Sequence, residues 1–426
     1  MKGYLGIDLG TSGCRVALID DQPDLPASLR MLRKASFQSV PVEGSQRRQS
    51  PTHWWQVLSG LLDDFFADCP AEVQAICVDG TSATLLAIDE TGKPLCDALM
   101  YNDASATAES ILIDQAAAHD STVRGATSSL AKRLYLQKRH PFAKQYLHQA
   151  DWISGKLLGR FDYSDENNCL KMGYDARTRS WPDWLEKLGI EKCSLPNVVA
   201  PGTPIGFLSD DYCKRWKLST APKIIAGTTD STAAFLATGA HQIGDAVTCL
   251  GSTLVMKVLS DRPLFEPARG VYSHRILGKW LVGGASNSGG QVLRHYFSNE
   301  QLQAMTPNLA PDQPTGLDYY PLIGKGERFP VQDAEFTPCL TPRPLSDLLF
   351  FQAMLEGMSR IERESYELLQ QLGAPYPRRL FTTGGGSGNP AWQRMREQAL
   401  GVVLIKANQQ EAAYGSALLA KIGANS

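Results

Sequence analysis

The sequence lacks the spacings that hold a metal or build a disulfide framework: its 426 residues contain no Cys-x-x-Cys pair and no His-x-x-x-His. Its nine cysteines are odd in number and scattered, which predicts free thiols in a reducing compartment and no structural zinc. No apolar run approaches the roughly 18 residues of a membrane span, and Asp8 interrupts the first apolar stretch, with no signal-peptide core after it. The expectation is a cytoplasmic protein with no membrane partner. A basic excess is also missing. Lys and Arg number 42 against 44 Asp and Glu, a formal charge of −2, so nucleic acid is not an expected partner. Neither Gly-x-x-x-x-Gly-Lys-Ser/Thr nor Gly-x-Gly-x-x-Gly occurs, which counts against a P-loop enzyme and an ordinary dinucleotide dehydrogenase.

What is present is a globular balance, 43% hydrophobic and 20% charged, over a length that suggests two or three domains at about 150 residues each. Two short apolar runs, 4–9 and 14–19, flank Gly10-Thr11-Ser12-Gly13 and predict a hairpin. The arrangement returns about 240 residues later, where runs 246–250 and 254–259 flank Gly251-Ser252-Thr253. Residues 52–66 carry a helical stripe of Trp55, Leu58, Leu62, Phe65 and Phe66, and a strand at 73–78 follows. Residues 309–344, rich in Pro and Gly, read as an irregular loop. Ser346 caps a long helix reaching about Leu372, a strand spans 379–383, and Pro390 and Gly401 bracket a last helix at 391–400. Strands alternating with helices in both halves predict an α/β protein of two domains, 1–242 and 243–426, with a cleft between them. The basic stretch from Lys132-Arg133 to Lys138-Arg139 reads as a solvated helix face without a role.

Three Gly-rich turns lie at strand ends, where glycine lets backbone N–H groups approach phosphate oxygens. Asp8 precedes the first, Asp79-Gly80-Thr81-Ser82 ends the strand 73–78, and Asp230 stands in Gly227-Thr228-Thr229-Asp230-Ser231-Thr232. Phosphoryl transfer needs amides on the phosphates, a carboxylate for the magnesium shell and a second carboxylate beside the attacking hydroxyl. These residues supply all three. Each also has a plainer reading: Asx-turn or cap for Asp230, and turn and cap chemistry for Thr81, Ser82 and Asp103.

The same residues resemble the FGGY carbohydrate kinases of the actin-like ATPase superfamily. Residues 6–12 resemble their first phosphate loop and 250–253 their second. Residues 227–239 resemble the segment holding their catalytic aspartate, 283–290 their Gly-Gly-x-x-Asn-x-Gly stretch, and 326–330 their Gly-Glu-Arg-x-Pro. Leu355-Glu356-Gly357 resembles their Leu-Glu-Gly, and residues 383–389 their adenosine loop. The resemblance implies two ribonuclease H-like domains with a catalytic cleft between them, ATP and Mg2+ as cofactors, and a small ketose or polyol as substrate, in a monomer or homodimer. Asp230 becomes the catalytic base. Asp8 serves magnesium and touches sugar. Thr11, Ser12, Gly251, Ser252 and Thr253 serve the phosphates, while Gly385, Gly386 and Asn389 serve the adenosine. Trp392 either packs on the purine or fills a buried helix face, and Thr81, Ser82 and Asp103 are candidates for sugar hydroxyls.

Two departures bear on substrate. Asp79-Gly80-Thr81-Ser82-Ala83 replaces the Gln-Met-His of xylulose- and glycerol-type members and is closer to D-ribulokinase-type members. Tyr101-Asn102-Asp103-Ala104-Ser105 replaces their Trp-x-Asp-x-Arg, so an arginine contact is expected to be absent. D-ribulose is the first expected substrate and D-xylulose the second. An ATP-driven conformational machine and a non-transferring sugar sensor are the competing functions.

Overall fold

In the computed structural model, which describes residues 2–21, 27–38, 44–69 and 71–425, the first two apolar runs form a hairpin. β1 (Lys2–Leu9) pairs antiparallel with β2 (Gly13–Asp20), and the Gly10 N–H donates to the Gly13 carbonyl across the turn. β3 (Leu29–Ser36) extends the sheet beyond β2, and the short β4 (Arg48–Gln49) belongs to a separate four-stranded sheet. α1 (Pro51–Asp68) begins where Ser50 accepts from the His53 N–H and Pro51 takes a position that needs no donor. Trp54, Leu58, Leu61, Leu62 and Phe65 recur on its buried face.

β5 (Glu72–Gly80) runs parallel to β1, and the strand Lys223–Thr229 runs parallel to β5. The sheet order is Pro204–Phe207, Lys223–Thr229, β5, β1, β2, β3. Both faces of its centre are covered. Leu5, Ile7 and Leu9 join a core with Trp54, Leu58 and Leu62, so Gly6 and Asp8 fall on the opposite face. There the C-terminal helix Ala412–Ala424 crosses so closely that a Cβ on Gly6 would lie 1.9 Å from the Ala413 carbonyl oxygen.

The second hairpin repeats the topology of the first. Asp245–Leu250 pairs antiparallel with Leu254–Ser260 and parallel with Arg379–Thr383, as β1 does with β2 and β5. Its sheet is ordered Tyr272–Ile276, Lys279–Ser286, Leu254–Ser260, Asp245–Leu250, Arg379–Thr383, Leu404–Lys406. Ser346 caps the long helix Asp347–Gln371. Asn389 caps Pro390–Leu400, and Gly401 ends it in the left-handed conformation. Residues 309–344 form no regular helix or strand.

The chain divides into two compact units: Met1–Ala237 with His274–Gly278 and Glu411–Ser426, and Thr238–Ser273 with Lys279–Gln410. The expected single cut at 242/243 is crossed by the last helix, which packs within the first unit. Gly415 makes that packing possible, since a Cβ there would meet the Ala233 carbonyl oxygen at 1.8 Å. The expected solvated basic face is corrected in part. In the helix Ser129–Arg139, Lys138 and Arg139 are exposed, but Lys132 and Arg133 are buried.

Candidate active site

In the first unit, three parallel strands bring three carboxylates to the same edge of the sheet. Asp8 and Asp79 are register partners near the ends of β1 and β5, and Asp230 is the first residue of the helix Asp230–Ala237, directly after Lys223–Thr229. Asp8 is 3% exposed and accepts from Arg15 Nη1 at 2.8 Å, while Arg15 also pairs with Glu411 at 3.3 Å. Asp79 is fully buried. Its Oδ2 accepts from the Ser416 hydroxyl of the C-terminal helix, and its Oδ1 is buried without a hydrogen-bond partner. Burial, and then the charge of Asp8, push the Asp79 carboxyl well above the usual carboxylate range. Asp230 is half-buried, and its Oδ1 accepts from the Ser231 N–H at 2.6 Å.

These side chains fit a hydrated magnesium ion. Among the described residues no three His, Cys, Asp or Glu stand close enough to hold a metal by themselves. Magnesium needs only one or two carboxylates when phosphates and waters complete its shell, a requirement that Asp8 meets without Asp79, which is wholly buried beside it.

Thr11 and Ser12 sit exposed at the tip of the first hairpin. The Thr11 carbonyl accepts from Gln49 Nε2 at 2.8 Å and the Ser12 carbonyl from the Phe37 N–H at 2.9 Å, so the tip is held through its carbonyls. The candidate sugar residues divide. Ser82 is half-buried. Thr81 is buried, with its hydroxyl donating to Gln149 Oε1 at 2.8 Å and sharing a 2.6 Å hydrogen bond with Thr84. Asp103 is also buried, and it accepts from the Arg47 N–H at 2.8 Å, Arg48 Nε at 2.9 Å and the Ser105 N–H at 3.0 Å. Burial raises its pKa, but those donors and the charge of Arg48 hold it below the usual range. Thr81 and Asp103 therefore spend their polar groups internally, as turn and ion-pair chemistry. The cation beside Asp103 comes from another segment, as Arg48.

In the second unit the two candidate nucleotide loops touch. A Cβ on Gly384, whose φ is +84°, would lie 2.7 Å from the Leu250 carbonyl oxygen, and one on Gly386 would lie 2.5 Å from the Trp392 ring. Only glycine fits at either point. Gly385 is exposed, with open space around it. The carbonyls of Gly251 and Ser252 accept from the N–H groups of Gly290 and Gln291, and the Ser252 hydroxyl accepts from Arg294 at 3.0 Å; Thr253 follows, half-buried. Buried Glu327 binds the Ser286 hydroxyl and the Asn287 N–H at 2.6 and 2.7 Å, so the Gly-Glu-Arg-x-Pro motif clamps the Gly-Gly-x-x-Asn stretch. Asn389 uses Oδ1 to cap the Trp392 N–H. It borders a cavity of about 240 Å³ with Gly386, Gln393, Arg396, Lys406 and Gln410. Trp392 is 3% exposed and donates its indole N–H to Ser359. It lies behind Gly386, as a buried helix-face tryptophan does.

Sequence reasoning missed Arg15, Arg48, Lys132, Gln149 and Ser416. For Lys132 a signal exists: it sits among Leu130, Ala131 and Leu134, in the buried phase of its helix. Arg48 has none, being 55 residues from Asp103, and neither has Ser416, which lies 337 residues from Asp79.

Known proteins share this architecture and sequence. Residues 3–237 match the N-terminal domain of the FGGY family of carbohydrate kinases, and residues 246–424 match its C-terminal domain. A xylulose kinase of Lactococcus lactis is 24% identical over 99% of this chain and 88% of that protein. One of Escherichia coli is 23% identical over 99% and 90%. Among solved structures, a xylulose kinase from Rhodospirillum rubrum superposes with a TM-score of 0.85 at 21% identity, covering 99% of this chain and 90% of that one. Plasmodium falciparum glycerol kinase with ADP superposes at 0.87 and 15%, over 99% and 90%. With both domain models matched in order over nearly its whole length, the chain belongs to the FGGY family of carbohydrate kinases.

Proposed function

We propose that the protein transfers the γ-phosphate of Mg-ATP to the terminal hydroxyl of a ketopentose, D-ribulose in the first place. The observation that carries this reading is the row of carboxylates Asp8, Asp79 and Asp230 at three strand ends of the first unit. Asp230 orients the sugar hydroxyl and takes its proton as the new bond forms. The transition state is loose, so the proton leaves late and an ordinary carboxylate suffices as base. Arg15 holds Asp8 in place, where Asp8 would hold a magnesium shell that, when bound, would supply neutralisation of charge on the phosphates. Thr11, Ser12, Gly251, Ser252 and Thr253 are the residues proposed to donate to phosphates. Gly385, Gly386 and Asn389 border the nucleoside, and Gly386 and Asn389 line the cavity of about 240 Å³ beside which it would lie. Trp392 acts on that site only by backing Gly386.

For the sugar, Ser82, Asp8 and Asp230 are the contacts, with Thr81 and Asp103 shaping the turns beside them. D-ribulose is favoured by Asp79-Gly80-Thr81-Ser82-Ala83, which departs from the Gln-Met-His of xylulose-type members. D-xylulose is favoured by the names of the relatives. ADP release measured against a panel of ketopentoses and polyols decides among these. Selective turnover of D-ribulose supports the first reading, and turnover of D-xylulose alone replaces it with the second. Sugar binding without turnover would make the protein a sensor, and sugar-independent ATP hydrolysis would make it a conformational machine.

A further inference from the structure

Lys132 is wholly buried. Its ammonium donates to three backbone carbonyls: Ala83 at 2.7 Å, Met100 at 2.7 Å and Tyr101 at 3.2 Å. Three donors meet three acceptors, and none of the acceptors is a carboxylate. The first acceptor belongs to the turn after β5, the other two to the turn that presents Asp103. Ala83 has a φ of +63°, a left-handed conformation unfavourable for a residue with a side chain, and it is the Ala83 carbonyl that Lys132 holds. The same turn is tied from the other side, where the Thr81 N–H donates to Gln149 Oε1 at 3.0 Å.

We propose that Lys132 is a positioning residue for the acceptor sugar: its side chain pins the turn 81–84 to the turn 100–103 and so sets the spacing of the two segments beside the sugar. Naming the sugar rests on the function proposed above, while the pin itself rests on the geometry alone. All three bonds require the protonated amine, since a neutral amine has only two N–H groups for three acceptors. Burial pushes the Lys132 pKa from 10.5 down to about 7. Of the charged groups facing it, Asp103 favours the charge and Lys171 and Arg48 oppose it. Raising the pH through this value removes one of the three bonds. Over the same window the unfolded chain keeps a proton that the folded chain gives up, so this group's contribution to global stability rises with pH. A loosened pin and a destabilised fold therefore move in opposite directions.

The test is hydrogen exchange and steady-state kinetics on the full-length wild type and Lys132→Met. The variant should exchange faster in peptides covering 81–84 and 100–103, with α1 and the C-terminal helix unchanged. Its ketose KM should rise about ten- to hundredfold, with the ATP KM within about twofold. In the wild type, exchange in both turns, corrected for its intrinsic pH dependence, and the ketose KM should rise from about pH 6 to 8.5, while the variant stays flat. Unchanged exchange in either turn, faster exchange throughout the unit, or an equal rise in both KM values would overturn the proposal. If the variant does not fold, the wild-type pH series decides, and a flat series overturns it. A wild type that phosphorylates no ketose would refute the proposed function, while the exchange data would still judge the pin.

Discussion

Arg396 and Glu362 make the sharpest test of how the second unit is held together. Both side chains are 1% exposed, and they pair through two bonds of 2.6 and 2.8 Å. Arg396 also donates to Thr382 at 2.9 Å, and Glu362 accepts from Thr248, so the pair joins two helices to two adjacent strands. Arg396→Met keeps the length of the side chain but strands a carboxylate that has no water to turn to. Breaking one side of such a pair costs about 3–5 kcal/mol. In a unit of about 170 residues each kcal/mol moves the Tm by about 2–4 °C, so the expected fall is roughly 6–20 °C. Removing both charges is a different perturbation, because neither desolvation cost nor Coulomb gain remains. Arg396→Met with Glu362→Leu should recover most of the loss. Thermal and urea melts of the wild type, the single variant and the double variant make the comparison. A single-variant cost below about 1 kcal/mol, or a double variant no more stable than the single, would refute the claim that an unpaired buried charge is what hurts.

Asp230→Asn should lower kcat by about 10²–10⁴ while an ATP analogue still binds; near-normal turnover would remove Asp230 from its role. Gly6→Ala should cost at least about 3 kcal/mol, the top of the overpacking range, because its Cβ would meet the Ala413 oxygen at 1.9 Å and the Ala417 nitrogen at 2.4 Å, both backbone atoms. A urea-melt difference under about 1 kcal/mol would mean that the last helix is free to shift. Asp245 is buried, which raises its pKa, but Arg379 at 2.6 and 2.7 Å and the His241 and Gln242 N–H groups hold it below 3.8. Its contribution is complete above pH 3.8 and is lost as the pH falls through the folded-state value. Asp245→Asn should thus cost about 1.5–3 kcal/mol at pH 7, with the gap closing in acid, and a gap independent of pH would refute the assignment. Asp79 has the opposite sign. Its raised pKa costs stability as the pH climbs above 3.8, so Asp79→Asn should melt higher than the wild type, by more at pH 8 than at pH 5. A lower melting temperature at pH 8 would show that the carboxyl is not strained by burial.

The paired hairpins and the capped helices were legible because their signals are local. Gly10 and Gly251 mark turns, Ser50, Ser346 and Asn389 mark caps, and each works through neighbours within a few residues. The family motifs were legible for the same reason. Arg48, Ser416 and the partners of Lys132 were not, because each acts across the fold on a segment that local pattern cannot place beside it. The packing of the last helix was illegible on the same ground. The last helix belongs with β1 through Gly6 and Gly415, and close packing of a distant helix leaves no trace in periodicity. Lys132 was misread by a sound rule applied alone: basic residues usually face solvent, yet the apolar phase of its helix already pointed inward.

A motif residue is a ligand candidate only to the extent that its polar atoms are uncommitted, and by that measure the conspicuous residues of the first unit separate. Asp103 and Thr81 sit in the expected segments, but their oxygens are spent on Arg47, Arg48, Ser105, Gln149 and Thr84. They determine where the turns lie. Thr11 and Ser12 are anchored through their carbonyls, which leaves their hydroxyls at the exposed tip. Ser82 is half-buried at a strand end, Asp230 accepts from the Ser231 N–H, and Asp79 keeps a buried oxygen with no partner at a cost to stability. A fold under selection for stability alone would not place a raised-pKa carboxyl beside a second carboxylate when an amide fits the same space. Such a cost is characteristic of a functional site, and it is Asp8, beside Asp79, that is placed to face a charge from outside the chain. Under the proposed function a cation carried in with a phosphate ligand would be that charge, and the near-neutral composition and the carboxylate-rich strand ends would answer the same need: the anion would be bound by backbone donors and its metal by local acids, with no basic surface required.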